Sequence, residues 1–155
     1  MDFHKPYFWL ATWFGCGFIN PAPGTWGTLG GLLVALFFFH AFGILFYLVA
    51  ATAIIAIGFW AVREYQAHTK THDAKEIVID EVAGIFIALI PAFSSWLLII
   101  LAFALFRALD IWKPGPIGKV DKDHSNPDNV MLDDIYAGVA TAIIIILIDF
   151  GWSMI

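Results

Sequence analysis

Charged residues and cysteine are both scarce in this sequence of 155 residues. Only 14% of the residues are Asp, Glu, Lys or Arg, whereas 61% are hydrophobic. This apolar share exceeds what a soluble core of such length can hide, which excludes an ordinary soluble domain. The single cysteine, Cys16, excludes an internal disulfide and a cysteine-rich metal site. A net charge of −5 argues against a nucleic-acid partner. The lipid bilayer is therefore the expected surrounding of this chain.

The sequence also lacks linkers and low-complexity tracts, so we expect residues 1–155 to form a single membrane-embedded domain. Long apolar runs are what it has instead. Residues 28–62 contain no Asp, Glu, Lys or Arg, and a straight helix over these 35 residues would measure about 52 Å. The hydrocarbon core of a bilayer is only about 30 Å thick. We therefore predict that the chain folds back near residues 40–43.

A second uncharged run, residues 82–106, fits either one tilted span or a hairpin. A turn at residues 91–95 is favoured because proline and serine are turn residues. With both hairpins, all eight Lys and Arg residues face one compartment, as the positive-inside rule expects of the cytoplasm, whereas a single span would divide them equally. The last helix, residues 135 to about 150, would then cross outward. The predicted fold class is all-α: a polytopic membrane bundle of about five hydrophobic helices, including short or hairpin-forming ones.

Two short segments carry an acidic pair followed by glycine about one turn later. They read I-D-E-V-A-G at 79–84 and L-D-D-I-Y-A-G at 132–138. The glycines would allow two helices to approach closely, so that the carboxylates face one another. Either pair alone fits the ordinary preference of acids for helix N-termini. Together with a fifth carboxylate they predict a Mg²⁺ site, because acids near a membrane boundary are costly unless paired or metal-bound. The predicted catalytic and metal-binding residues are Asp80, Glu81, Asp110, Asp133 and Asp134.

Basic and hydroxyl side chains near these acids are candidates for phosphate binding. Arg107 and Lys113 lie one turn before and after Asp110, which fits a helix-end salt bridge and equally fits a pair of phosphate clamps. The segment P-A-P-G-T-W-G-T-L-G-G at 21–31 offers backbone N–H groups and a helix N-terminus, although it also fits a tight entry turn. The predicted substrate-binding residues are Gly24, Thr25, Gly27, Thr28, Arg107 and Lys113.

Two further polar stretches are weaker candidates. His72 and Asp73 precede the first acidic pair and could supply a base or a further metal ligand, although a loop histidine is more often simply solvated. The stretch D-K-D-H at 121–124 superficially resembles the D-x-D loop of soluble phosphatases. Since no buried strand precedes it, we assign it no role.

Four sequence blocks carry a resemblance to a known family. They are P-G-T-W-G-T at 23–28, H-D-A-K-E-I-V-I-D-E at 72–81, F-R-A-L-D-I-W-K-P-G-P-I at 106–117 and M-L-D-D-I-Y-A-G at 131–138. In these blocks the chain closely resembles the phosphatidylglycerophosphatase A family, from about residue 13 to residue 138. The resemblance implies a predominantly helical, Mg²⁺-dependent enzyme of the bacterial inner membrane. Such an enzyme hydrolyses phosphatidylglycerol phosphate to phosphatidylglycerol and inorganic phosphate.

The implied substrate fits the predicted charges only if a cation is bound. Five carboxylates would repel a phosphate dianion, whereas one or two Mg²⁺ among them would remove the repulsion and lower the pKa of an attacking water. An aspartyl nucleophile is an open variant. A small membrane transporter or ion pathway is the main alternative, but it would place the acids at mid-helix. A non-catalytic membrane scaffold is a third interpretation, and the oligomeric state is left open.

Overall fold

The computed structural model describes residues 4–71, 74–123 and 125–154, and within these residues all regular secondary structure is helical. The helices are α1 (Pro6–Ala11), α2 (Pro23–Thr69), α3 (Ile79–Ala88), α4 (Trp96–Trp112), α5 (Pro116–Asp121) and α6 (Asn129–Ser153), with a short 3-10 turn at Cys16–Phe18. The all-α prediction is confirmed. By length and apolarity, α2 and α6 can each cross a membrane. The expected number of about five hydrophobic helices stays a prediction.

The 47-residue helix α2 reverses direction at Gly43. This glycine has φ 76° and ψ −178°, a conformation that L side chains rarely adopt. Residues on both sides of it contact α3: Gly31 lies against Val82, and Gly58 lies against Ile79. The predicted fold-back near residues 40–43 is therefore confirmed, and α2 consists of two arms, residues 23–42 and 44–69, that both pack against α3.

Residues 89–95 form a turn between α3 and α4, so the second apolar run is a hairpin. The Ser95 hydroxyl accepts a hydrogen bond from the backbone N–H of Leu97, which caps the start of α4. Phe93 in this turn stacks on Phe39 with 3.8 Å between ring centroids. The turn therefore lies beside the reversal at Gly43, and the N-terminus of α3 lies at the opposite end of the bundle.

Helix α6 begins at Asn129, six residues before the predicted start at residue 135. The Asn126 side chain accepts the backbone N–H of Asp128, and the Asp128 carbonyl accepts the N–H of Met131. This local turn supplies the first turn of the helix, so the prediction of a later start was wrong. The second acidic pair consequently lies inside α6, in its second turn.

Helices α3 and α6 are in close contact at Gly84 and Gly138. A Cβ atom added at Gly138 would overlap the carbonyl oxygen of Gly84, and one added at Gly84 would lie 2.8 Å from the carbonyl oxygen of Asp134. The predicted close approach of the two helices at these glycines is confirmed. It brings the two acidic pairs to the same end of the bundle.

Candidate active site

A cavity of about 320 Å³ lies at this end of the bundle. Its walls come from the N-terminal ends of α2, α3 and α6, the C-terminal ends of α4 and α5, and the segment that leads into α3. Its charged lining residues are Lys75, Asp80, Glu81, Arg107, Asp110, Lys113, Asp121, Asp133 and Asp134. Six carboxylates against three cations leave a formal excess of three negative charges. An empty cavity of this composition would repel a phosphate group.

Asp80, Glu81 and Asp134 form the tightest group of carboxylates in the cavity. One oxygen from each residue lies within 4.8 Å of the other two. Asp80 is 8% exposed and Asp134 is 3% exposed. Among the described residues, Glu81 Oε2 and Asp134 Oδ1 are buried without a hydrogen-bond partner. Buried carboxylate oxygens without donors are costly, whereas a set of oxygen ligands suits a hard divalent cation such as Mg²⁺.

Asp133 differs from these three residues because it forms an ion pair with a lysine, which balances its charge. The Lys113 ammonium donates to Asp133 Oδ2 at 2.7 Å and also to Asp121. Burial by itself would lower the pKa of Lys113, but the hydrogen bonds to Asp121 and Asp133 outweigh burial and raise this pKa above its usual value. Lys113 is therefore charged and joins the ends of α4, α5 and α6. The second oxygen of Asp133, Oδ1, is buried without a partner in the described part of the chain.

Arg107 is positioned by groups from α2, α3 and α4. Its Nη1 lies 2.5 Å from Asp110 Oδ2 and 3.9 Å from Glu81 Oε1. The same nitrogen donates to the Thr28 hydroxyl at 3.2 Å, and that hydroxyl donates to the Gly24 carbonyl at 2.8 Å. Nε of Arg107 is buried and has no partner within the described ranges. The Arg107–Asp110 salt bridge foreseen from the helical spacing is present, whereas Lys113 extends away from Asp110.

Helix α2 begins at Pro23, so the glycine–threonine segment after it is helical and is not a loop. Proline suits the first position of a helix because its missing N–H would have had no helical partner. Gly24 lines the cavity, and a Cβ there would lie 3.1 Å from Glu81 Cδ and 3.2 Å from Arg107 Nη2. Glycine at this position therefore makes room for the two charged side chains.

Most of the predicted site residues line this one cavity. They are Gly24, Asp80, Glu81, Arg107, Asp110, Lys113, Asp133 and Asp134. Thr25, Gly27 and Thr28 are not among the described lining residues. Gly27 packs against Val78, and Thr28 holds Arg107. Their part in phosphate binding stays a prediction. His72 and Asp73 lie outside the described residues.

Lys75, Asp121 and Asn129 line the cavity without having been predicted. A buried strand before the acidic loop is a feature of soluble phosphatases and is not required in a helical bundle, so its absence before residue 121 did not exclude Asp121 from the site. The turn K-P-G-P at 113–116 was the useful signal, because it reverses the chain and packs Gly118 of α5 against the Lys113 carbonyl at the end of α4. Asp121 reaches Lys113 through this reversal.

Residues 9–149, which include every part of this cavity, match the family profile of phosphatidylglycerophosphatase A. The chain belongs to the phosphatidylglycerophosphatase A family. It is 37% identical over 152 residues to phosphatidylglycerophosphatase A of Haemophilus influenzae, and the aligned residues cover 97% of this chain and 92% of that protein. It is 33% identical over 155 residues to phosphatidylglycerophosphatase A of Escherichia coli K12, covering 97% and 87%.

A third relative carries a different substrate in its name. It is a Bacteroides thetaiotaomicron protein named provisionally as a phosphatidylinositol-3-phosphatase, 36% identical over 143 residues, covering 88% of this chain and 89% of that protein. No solved structure matches at a significant level. Membership of the phosphatidylglycerophosphatase A family confirms the resemblance found in the four sequence blocks and does not favour the transporter alternative.

Proposed function

We propose that this chain is a Mg²⁺-dependent phosphatase that hydrolyses phosphatidylglycerol phosphate to phosphatidylglycerol and inorganic phosphate. The observation that carries the proposal is the group formed by Asp80, Glu81 and Asp134, whose oxygens lie within 4.8 Å of one another. Buried, unpartnered oxygens on two of them fit a bound divalent cation better than they fit a structural role. The two relatives named phosphatidylglycerophosphatase A support the substrate.

Charge balance supports the same proposal. The three surplus negative charges of the cavity oppose a phosphate monoester; one divalent ion would reduce the surplus to a single negative charge, and two would reverse its sign. When bound, Mg²⁺ supplies a Lewis acid for the phosphoryl oxygens and a lowered pKa for water. Asp80, Glu81 and Asp134 would hold it. Asp110 and Asp133, each already paired with a cation, would complete the carboxylate set at the edge of the group.

The basic residues and Asp133 receive the remaining roles in the reaction. Arg107, whose buried Nε has no partner among the described residues, and Lys113 would stabilise charge on the phosphoryl oxygens. Asp133 Oδ1, which is buried beside the Lys113 ion pair and has no partner in the described ranges, would accept a proton from the attacking water. The water oxygen bonds to phosphorus while the bond from phosphorus to the glycerol oxygen breaks. That oxygen leaves as the phosphatidylglycerol hydroxyl after taking a proton from solvent.

We further propose a single multi-pass domain in the bacterial inner membrane, with the cavity facing the cytoplasm. The two arms of α2, with α3, α4 and α6, would be the five hydrophobic segments of the bundle. Large apolar side chains point outward on the three longest helices: Leu45 is 69%, Ile100 is 64% and Leu147 is 65% exposed. Such surfaces suit lipid. The cavity would then lie at the bilayer boundary, with the acyl chains of the substrate remaining in lipid.

Phosphate release by the purified protein tests the catalytic proposal. We expect release from phosphatidylglycerol phosphate with Mg²⁺ and none with a chelator, and Asp134→Asn should lower the rate by at least about 100-fold. Asp149→Asn is the matched control, because Asp149 is an exposed acid at the other end of the same helix. Phosphatidylinositol 3-phosphate is the comparison substrate. Turnover in the chelator would reject the metal, and no turnover under any condition would reject the function.

Labelling of single cysteines tests the proposed orientation. With Cys16→Ser as background, Ser125→Cys reports on the cavity end and Ser94→Cys reports on the opposite end. We expect a membrane-impermeant reagent added from the periplasmic side to label position 94 but not position 125. The reverse pattern would reject the cytoplasmic orientation of the site, and labelling of both positions would reject the hairpin topology in the membrane.

A further inference from the structure

We propose that Lys75 is a specificity-determining residue that binds the phosphodiester group of the lipid substrate. This inference rests on the proposed function, because the substrate named there carries two phosphates. One is the terminal monoester, which is cleaved. The other is the diester that joins the headgroup glycerol to diacylglycerol, and it remains in the product.

Of the three cations among the described lining residues, Lys75 is the one for which the described chain shows no partner. Arg107 is paired with Asp110, and Lys113 bridges two carboxylates. Lys75 is exposed, and no hydrogen bond or ion pair joins it to another described residue. An exposed residue that still lines the cavity stands at its mouth, where its side chain can meet an incoming anion.

The backbone around Lys75 is firmly anchored, which gives the side chain a fixed base. The Glu76 carboxylate accepts the Tyr65 hydroxyl at 2.7 Å, and the Val78 N–H donates to the Ala11 carbonyl at 2.9 Å. Ile77 between them is 4% exposed. Only the flexible lysine stem would therefore lose conformational freedom when an anion binds.

The charges along the cavity indicate which of the two phosphates would bind deep in the cavity and which would bind near its mouth. The buried cluster of Asp80, Glu81 and Asp134, with a bound metal, would bind the dianionic monoester. The three-carbon glycerol would then place the diester nearer to the mouth of the cavity. The six carboxylates oppose this second anion, and Lys75 is the described cation that can offset them there. A compact ammonium charge suits a diester oxygen, which needs no bidentate partner. Because the pair is exposed, its effect should be about fivefold in affinity.

Lys75→Ala tests the inference by kinetics and by binding. The KM for phosphatidylglycerol phosphate should rise about fivefold with kcat unchanged, and Lys75→Arg should restore it. Inhibition by phosphatidic acid, which has a monoester but no diester, should be unchanged. Lys122→Ala is the matched control, because Lys122 is exposed but is not among the described residues lining the cavity.

Binding of short-chain phosphatidylglycerol, measured by calorimetry in detergent, gives a readout that needs no turnover. This lipid carries only the diester, so Lys75→Ala should weaken its binding about fivefold while Lys122→Ala leaves it unchanged. Equal binding by wild type and Lys75→Ala would overturn the inference, as would equal losses for phosphatidylglycerol phosphate and phosphatidic acid. Failure of the wild type to hydrolyse phosphatidylglycerol phosphate would instead reject the proposed function.

Discussion

Replacing Gly138 with alanine tests whether the contact between α3 and α6 sets the spacing of the Asp80, Glu81 and Asp134 carboxylates. The added Cβ would overlap the Gly84 carbonyl oxygen and lie 3.1 Å and 3.2 Å from the Gly84 carbonyl carbon and Cα. Ordinary contact between heavy atoms begins at about 3.5 Å, so the helices would have to separate by up to about 1 Å. All three clashing atoms belong to the backbone of α3, so no side-chain rotation relieves them.

Overpacking of this kind costs about 1–3 kcal/mol. Alanine also has a higher helix propensity than glycine by up to about 1 kcal/mol. Gly151→Ala measures that gain alone, because a Cβ at Gly151 would meet no described heavy atom within 4 Å. We therefore expect Gly138→Ala to be less stable than Gly151→Ala by about 1–3 kcal/mol. At about 2–4 °C per kcal/mol, thermal unfolding in detergent should show a difference of roughly 2–12 °C.

The same variant should change the metal requirement. Separating α3 from α6 moves Glu81 away from Asp134, so Gly138→Ala should need more Mg²⁺ for half-maximal phosphate release, whereas Gly151→Ala should match the wild type. If both variants share the same melting temperature and the same Mg²⁺ requirement, the glycine contact does not set the geometry of the site.

Three further predictions concern Arg107, the ion pair of Asp128 at the start of α6, and the metal. Thr28→Val removes an acceptor from Arg107 and should lower kcat/KM about tenfold, as expected for a hydrogen bond to a charged group. Thr52→Val is the control, since the Thr52 hydroxyl makes the same bond to the carbonyl four residues earlier but lies on the exposed surface. Unchanged kinetics in both variants would contradict this role of Thr28. Hydrogen bonds from Arg63 lower the pKa of Asp128, so the stability from this pair is present above the ordinary value of 3.8 and is lost as pH falls through the lower folded pKa. Asp128→Asn should accordingly melt below the wild type at pH 7, with a gap that closes in acid; a gap constant down to pH of about 3 would refute this pair. Adding Mg²⁺ to chelator-treated protein should raise the melting temperature, and Asp134→Asn should remove most of that rise; an equal rise in both proteins would place the ion elsewhere.

The two reversals of the chain were predictable because their signals are local. An apolar run longer than the bilayer is thick has to turn, and Gly43 is the residue that tolerates the required backbone conformation. The proline and serines of residues 89–95 mark the second turn in the same way. The start of α6 was missed because the turn around Asn126 extends the helix through residues that resemble a polar loop.

The candidate site was predictable to the extent that its residues share a recurring pattern. Both acidic pairs precede a glycine by about one turn, and the glycines proved to be where α3 meets α6. The partners of the cations were not predictable from such a pattern. Spacing on one helix put Lys113 beside Asp110, whereas the folded chain gives it Asp121 and Asp133.

The helical class, the apolar surface and both turns follow from the sequence alone, as does the end of the bundle at which the carboxylates collect. Each of these depends on a few neighbouring residues and on the thickness of the bilayer. Three features depend instead on how the helices pack: which carboxylate oxygens have no partner in the described part of the chain, the hydrogen bond between Thr28 and Arg107, and the position of Lys75 at the mouth of the cavity. Long side chains choose partners from several helices at once, and that choice depends on how the helices pack.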